Sequence, residues 1–496
     1  MKATALLLVA ATAGLWGCVA QPPARPATVS LPAAFSGNRE PGVPHDLAAW
    51  WTSFDDPVLS ALVTRALAAN LDVAQAVARV REARLQERIV RGGQGPQANA
   101  SGSGSANRLS RNALPSALAN MGSGGSDGGG SSGGLGLAGE TFRTWQAGFD
   151  ASWELDLFGG DARANDAAQA RTQAALWSRR DAEVVLVAEV ADTYLRHRSL
   201  QRRLSLSDEA LASQGESLAF ARVRARHGLA GDAEVARAQQ SVLQAAARRE
   251  ELVAQAGASL HGLALLLGLP PTALQDELAA PPARPLPQPD VPPGLPSDLL
   301  ERRPDIRAAE RQAAAALADI GVARADLYPR ISLTGALQLA SRSLSTLVDA
   351  DSVQANVGAR LAFPLLGRDR LHATVDLREV QADAAALAWR QAVLRALRDV
   401  EDALTRLDAD RRRADALAKA ADAARDAADT AAVAQRHGLD SAAGWLAARQ
   451  ALLAAQDTAL QGEAAAAQDV VGLYKALGGG WDERRHPEDE DPPSGR

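Results

Sequence analysis

The sequence predicts a mainly α fold with membrane β, built as a two-fold internal repeat of long helical hairpins plus four strands per subunit. Three observations predict it. Two long tracts, Asp161–Leu269 and Arg368–Leu477, lack proline and space Ala, Leu and Val helically among Arg, Asp, Glu and Gln. Each tract is interrupted near its middle by the same tetrapeptide, Arg-His-Gly-Leu, at residues 226–229 and 436–439. Between the helical tracts lie segments of strict polar–apolar alternation.

The N-terminus reads as an address. Lys2 precedes an apolar run, Ala3–Leu15, that is too short to span a bilayer. It ends in Leu15-Trp16-Gly17-Cys18, which resembles a bacterial lipobox, although Trp16 departs from its usual small or β-branched residue. Residues 1–17 are therefore expected to be a lipoprotein signal peptide, and Cys18 the lipidated residue. Val19, where an Asp would resemble an inner-membrane retention signal, favours the outer membrane. Residues 18–45, rich in Pro and Ala, read as the lipidated Cys and an extended tether. Stable anchoring needs more than one acyl chain.

In the helical tracts, Gly just past a basic residue signals a helix end. Each tract then reads as a hairpin, and a helix from about 161 to 226 would extend roughly 100 Å at 1.5 Å per residue. The sequels of the two tetrapeptides match as well: Val235 with Trp445, Ala238 with Ala448, Gln240 with Gln450. Gly159 and Gly367 match at a slightly shorter offset, and Pro96 and Pro329 at a longer one. The longer offset reflects a Gly/Ser insertion, Gly122–Gly139, in the first half. The chain is thus a duplication, with residues 46–269 as first repeat, 270–481 as second, and 482–496 as a polar tail.

The strand candidates are Gln97–Ser103, Trp145–Leu157, Arg330–Leu339 and Val353–Phe363. In the second, Trp145, Ala147, Phe149, Ala151, Trp153, Leu155 and Leu157 alternate with Gln146, Gly148, Asp150, Ser152, Glu154 and Asp156. Charges opposite aromatics over about ten residues fit a membrane strand with one lipid face and one lumen face. Pattern alone fits a soluble sheet equally well; the tether at a membrane decides. Four strands cannot close a spanning barrel, because lipid-exposed edges leave backbone groups unpaired. Several copies must share one pore, and either two or three copies satisfy this.

Several blocks resemble the outer-membrane efflux factor family, of the TolC and OprM type and its NodT-like lipoprotein branch. They are Trp50-Trp51 with Phe54-Asp55-Asp56-Pro57-Val58-Leu59, Trp153 to Gly159, Leu299 to Glu310, and Leu473 to Trp481. The resemblance spans nearly all of Trp50–Trp481. It implies a homotrimer, with a 12-strand β-barrel in the outer membrane and a 12-helix α-barrel reaching into the periplasm. It implies two partners: a periplasmic adaptor (membrane fusion protein) and an inner-membrane pump, expected to be of the resistance-nodulation-division type. Arg226, Gly228, Leu229, Arg436, Gly438 and Leu439 would be the adaptor-docking turns. The pore-constriction positions, which hold Leu and Asp rings in similar channels, are here Ala443 and Ala447. A wider or differently sealed closed state is the expectation, with Glu401 and Asp402 as alternative lumen charges.

The implied function is a passive duct exporting small molecules from the inner-membrane pump to the exterior. A non-conducting envelope scaffold is the alternative. The formal net charge of −6 offers no basic footprint for nucleic acid. One Cys excludes an intramolecular disulfide and a multi-thiolate metal site, and the seven His form no HExxH pair. No nucleotide-binding or hydrolase motif occurs, so neither an enzyme nor a cofactor is expected. The charged segment Leu300–Glu310 reads as structural: Pro304 opens a helix, and Arg302 or Arg303 pairs with nearby carboxylates to fix the chain's entry angle.

Overall fold

A computed structural model describes residues 31–35, 47–108, 141–281, 286–287, 289–292, 294, 296–439 and 441–482. Cys18, the signal peptide, most of the tether, the Gly/Ser insertion and the tail beyond Asp482 lie outside the described residues. The elements run as a 3-10 segment Leu47–Phe54, α1 Pro57–Ala69, α2 Leu71–Gly93, β1 Gln97–Arg108, β2 Thr141–Leu155, α3 Gly160–Arg226 and α4 Asp232–Leu266. They continue with α5 Asp298–Arg302, α6 Pro304–Ala325, β3 Arg330–Ser341, β4 Val353–Ala362, α7 Arg368–Arg436 and α8 Ala442–Ala476. The chain falls into two compact units.

The first unit comprises residues 85–169 and 315–382 together with the N-terminal 24 residues, which are not described. Its centre is one antiparallel sheet in the order β1-β2-β3-β4. The sheet is open, so among the described residues β1 and β4 each present an unpaired edge. β2 is two residues shorter at its C-terminus than the alternation suggests. Leu157 N–H turns back to the Leu155 carbonyl, and Asp156 accepts a hydrogen bond from Ala162 N–H. β1, by contrast, runs on to Arg108, well past the expected Ser103. Its Gly, Ser and Ala residues have little intrinsic strand preference, and pairing with β2 along its whole length holds it extended.

The second unit comprises residues 25–84, 170–314 and 383–496. Its core gathers around Trp50, Phe54, Tyr194 and Tyr474, all at most 2% exposed. Trp50 stacks on Tyr474 with ring centroids 4.8 Å apart and meets Phe54 edge-on. The Asp56-Pro57 pair starts α1 in the way its chemistry favours. Asp56 caps the helix by accepting from Val58 N–H at 2.9 Å and Leu59 N–H at 3.2 Å, and Pro57 fills the first turn. The other Asp56 oxygen accepts from the Tyr194 hydroxyl at 2.7 Å. Burial, more than this bond, pushes the Tyr194 phenol up to about 12.

Residues 57–93 have the length and apolar composition of a membrane helix. They form instead two helices broken at Asn70, whose amide donates to the Leu266 carbonyl and whose oxygen accepts from Asp72 and Val73 N–H. Leu59, Leu62, Val63 and Ala66 are buried in the core of this unit.

Arg303 ties three elements together, as its motif suggests. It makes a two-pronged bond to Asp305 at 3.0 and 2.7 Å, donates to the Ala476 carbonyl at 2.9 Å, and reaches Asp399 at 3.4 Å. Asp181 of α3 faces the same cluster. Burial and the nearby Asp305 charge raise its carboxyl to about 6, against the pull of Arg303 and Lys475.

Candidate functional site: an uncovered sheet and two helix-hairpin tips

The register gives the sheet two chemically different faces. Phe149 stands opposite Ala100 and Leu337, Trp153 opposite Leu333, and Leu337 opposite Ala355. Cross-strand partners share a face, so from Ala98, Trp153 and Ile331 to Trp145 and Leu339 this side carries Ala, Gly, Val, Leu, Ile, Phe and Trp, and beyond Trp145 it carries Arg143 and Arg108. The other side carries Asn99, Ser101, Gln146, Asp150, Glu154, Thr334, Gln338, Asn356 and Arg360. Its polar groups meet one another: Asn99 donates to Asp150 at 3.3 Å, Gln338 to Gln354 at 3.4 Å, and Arg330 lies 3.8 Å from Glu154.

Among the described residues nothing covers the apolar side. Phe149 is 66% exposed, Leu361 67% and Val357 93%. In water such a face is a liability; beside hydrocarbon it is the stable arrangement. Trp145 and Trp153 mark its limits, eight residues apart on β2. That is ~27 Å along the strand, or about 20 Å across a bilayer at a tilt of ~40°. Aromatic girdles at both interfaces flank the apolar band of a membrane strand, which is about 25 Å tall. The indole of Trp153 donates to the Gln94 carbonyl at 3.2 Å, at the end of the sheet where all four helices join it. Gly148 lies on the polar side, opposite Gln338. A Cβ there would lie 2.5 Å from the Gln338 Cα, so only glycine lets β2 and β3 approach this closely.

The two tetrapeptide turns have the same backbone. Gly228 and Gly438 adopt φ of +71° and +70°. Leu229 N–H bonds the Arg224 carbonyl and Leu439 N–H that of Ala434, while the two glycine N–H groups bond Ala225 and Gln435. This is the Schellman ending, which needs a left-handed residue where each glycine stands. The turns present Arg226, Leu229, Arg436 and Leu439 to solvent, with the two leucines 67% and 83% exposed. They differ in support. Arg224 bridges the first turn, donating to the Leu229 carbonyl at 2.9 Å and pairing with Glu234. The equivalent position in the last turn of α7 is Ala434, and Ser441 instead caps α8 by accepting from Gly444 N–H.

Ala443 and Ala447 lie one turn apart on α8, both exposed, while Leu446 between them is buried. Asp402, the alternative lumen charge, lies 3.8 Å from the Arg398 guanidinium. Among the described residues no group of three or more His, Cys, Asp or Glu is placed to hold a metal ion. His197 is buried against Ser259 at 3.0 Å. Sequence reasoning had the strands and the turns but not the Trp145–Trp153 spacing or the Gly148 approach. The first was readable as two tryptophans on one parity; the second depends on a register that no single strand encodes.

A protein-family model described as outer membrane efflux protein matches residues 62–269 and 295–479. The chain is 34% identical over 484 residues to the outer membrane protein OprJ of Pseudomonas aeruginosa, covering 97% of this chain and 96% of that protein. It is 33% identical over 443 residues to the pyoverdine export outer membrane protein OpmQ of the same organism, covering 89% of each. The solved structure of the outer-membrane channel OprN matches with a TM-score of 0.79 at 31% identity, covering 92% of this chain and 99% of that one.

Proposed function

This chain belongs to the outer membrane efflux protein family, and on that premise we propose that three copies of it close into the exit duct of a tripartite efflux pump. The chain is an outer-membrane channel of an efflux system and not an enzyme. The homotrimer is our reading. Its support is a sheet with one uncovered apolar face and two unpaired edges, which satisfies its backbone in lipid only by pairing β4 of one copy with β1 of the next. Strand directions alternate across the sheet, so that pairing is antiparallel like the others. Three copies give twelve strands around a lumen lined by the polar side.

Energy for transport comes from the partners. A periplasmic adaptor docks on the turns Arg226-Gly228-Leu229 and Arg436-Gly438-Leu439, where exposed leucines beside arginines offer apolar and charged contacts at once. The adaptor links the duct to an inner-membrane pump, of the resistance-nodulation-division type in this proposal. Acyl chains on Cys18 anchor each copy through the tether of residues 18–45. Ala443 and Ala447 stand at the constriction, where they supply neither a bulky ring nor a carboxylate ring, so the resting pore is wide and weakly charged.

The test is the full chain purified in mild detergent and inserted into planar bilayers. A band that resists cold detergent at three times the chain mass and collapses on heating, with discrete conductance steps, is the expected result. Assembly without conductance would favour an envelope scaffold instead. A water-soluble monomer would overturn the duct.

A further inference from the structure

α8 turns one face to solvent. After Ala443 come Ala447, Ala451, Ala454, Thr458 and Gln461, all exposed and three or four residues apart, which keeps them on one side of the helix. Half-buried Gln468 lies two turns further along the same side. Here, within the second unit, α3, α4 and α8 border a hollow of about 590 Å³, a size that suits a small molecule. Gln461 and Gln468 line it from α8, and Arg196, Ser199 and Arg203 from α3. Leu200, Ala258, Gly262 and Ala464 give it a small apolar wall.

The polar lining is rich in donors. Among the described residues no carboxylate lines the hollow. Arg203 and Gln461 both donate to Asp457, at 2.7 Å each, and Asp457 lines the adjoining hollow instead. Arg196 gives one nitrogen to Asp192, one turn back on α3, at 3.1 Å and stays 61% exposed, so most of its guanidinium donors are uncommitted. An exposed pair of this kind holds its guanidinium weakly, and a ligand carboxylate competes for it. Ser199 is 7% exposed, and its hydroxyl makes no hydrogen bond among the described residues. A buried hydroxyl without a partner costs free energy that an acceptor in the hollow removes. The Gln468 amide is unbonded in the same sense.

We propose that this hollow is a transit site for a small organic carboxylate, its anionic group held by Arg196, Ser199 and Gln468 and its apolar body resting on Leu200 and Ala464. A guanidinium matches a carboxylate with two parallel bonds, and a hydroxyl and an amide complete the set. The site is on the wall that an exported solute passes, because the face of α8 that carries it continues from Ala443 and Ala447. It rests on the reading that those two alanines face the lumen.

The experiment titrates the full-length protein, in nanodiscs of neutral phosphatidylcholine, with 2-naphthoate and with 2-naphthamide, by calorimetry against empty nanodiscs. The two probes share a ring system and differ in charge. The wild type is expected to bind the naphthoate roughly tenfold more tightly, the effect of hydrogen bonding to a charged group. Arg196→Gln should remove that preference, and Ser199→Ala should weaken it, whereas Arg248→Gln, in the adjoining hollow, should leave it unchanged. Affinity for the naphthamide should be the same in all variants, which reports an intact hollow. Equal binding of the two probes by the wild type, or an unchanged preference in Arg196→Gln, overturns the site. The lumen reading is measured separately: a charged thiol reagent on Ala454→Cys, within the exposed stripe of α8, should lower single-channel conductance. Unaltered conductance would overturn the place of the site on the export route, even with the preference for naphthoate intact.

Discussion

Replacing Asp181 with Asn should stabilise the protein at neutral pH and leave it almost unchanged in acid. Asp181 is partly buried beside Arg303 and Asp305, and its carboxyl is raised from 3.8 to about 6. Burial contributes most, and the negative charge of Asp305 adds to it. A carboxyl with a higher pKa in the folded chain binds its proton more tightly there than in the unfolded chain. Between about pH 4 and pH 6 the folded state therefore holds the extra proton, and stability falls as pH rises through that window. Above about pH 6 the whole penalty for keeping a charged carboxylate there is present. At ~1.4 kcal/mol for each tenfold in proton affinity, the ceiling is about 3 kcal/mol, and partial exposure lowers it. Asn keeps the shape without the charge. Denaturant unfolding followed by tryptophan fluorescence, at pH 7.5 and at pH 4, measures the difference. A gain of about 2 kcal/mol at pH 7.5 that vanishes at pH 4 is expected. An equal gain at both, or a loss at pH 7.5, would refute the electrostatic account.

Arg303→Ala should cost about 3 kcal/mol in the same assay, because it leaves half-buried Asp305 and the Ala476 carbonyl without the guanidinium that joins them, while Asp399 keeps its pairing with Arg398. Arg303→Lys should recover little, since a single ammonium cannot reproduce the two-pronged bond. Gly148→Ala should abolish the heat-modifiable assembly, because the added Cβ meets the Gln338 backbone at 2.5 Å, whereas Gly335→Ala, with 3.8 Å to its nearest neighbour, should assemble normally. Ala447→Asp should lower single-channel conductance and shift reversal potentials toward cation selectivity in a salt gradient; unchanged selectivity would remove α8 from the constriction. Gly228→Ala should weaken adaptor capture while costing only ~1 kcal/mol of stability, the strain of a left-handed residue that has lost its glycine.

The long helices were legible because their signals are local. Absence of proline, helical spacing of Ala and Leu, and Gly after a basic residue placed the end of α3 at Arg226 and of α7 at Arg436, where the structure has them. The motif around Arg303 was legible for the same reason: Pro304 and Asp305 are adjacent to it, although its longer reach to Asp399 and Ala476 was not. β1 was faint because Ala98 to Ser105 is made of small residues whose strand state comes from β2 rather than from themselves. The role of Trp50 was hidden altogether. Its ring stacks on Tyr474, more than four hundred residues later, and no periodicity in either segment links them.

The unequal bracing of the two tips has a mechanical consequence. Where Arg224 straps the end of α3 to the start of α4, the first hairpin resists twisting at its apex. The second, with alanine in that place, has no such arginine strap among the described residues and is the more compliant of the pair. If three copies close into a ring as proposed, stiff and soft apices alternate around it, so a cap approaching the ring meets two kinds of seat. Half of them hold their outline under load, and the work of dilating the mouth falls on the other half.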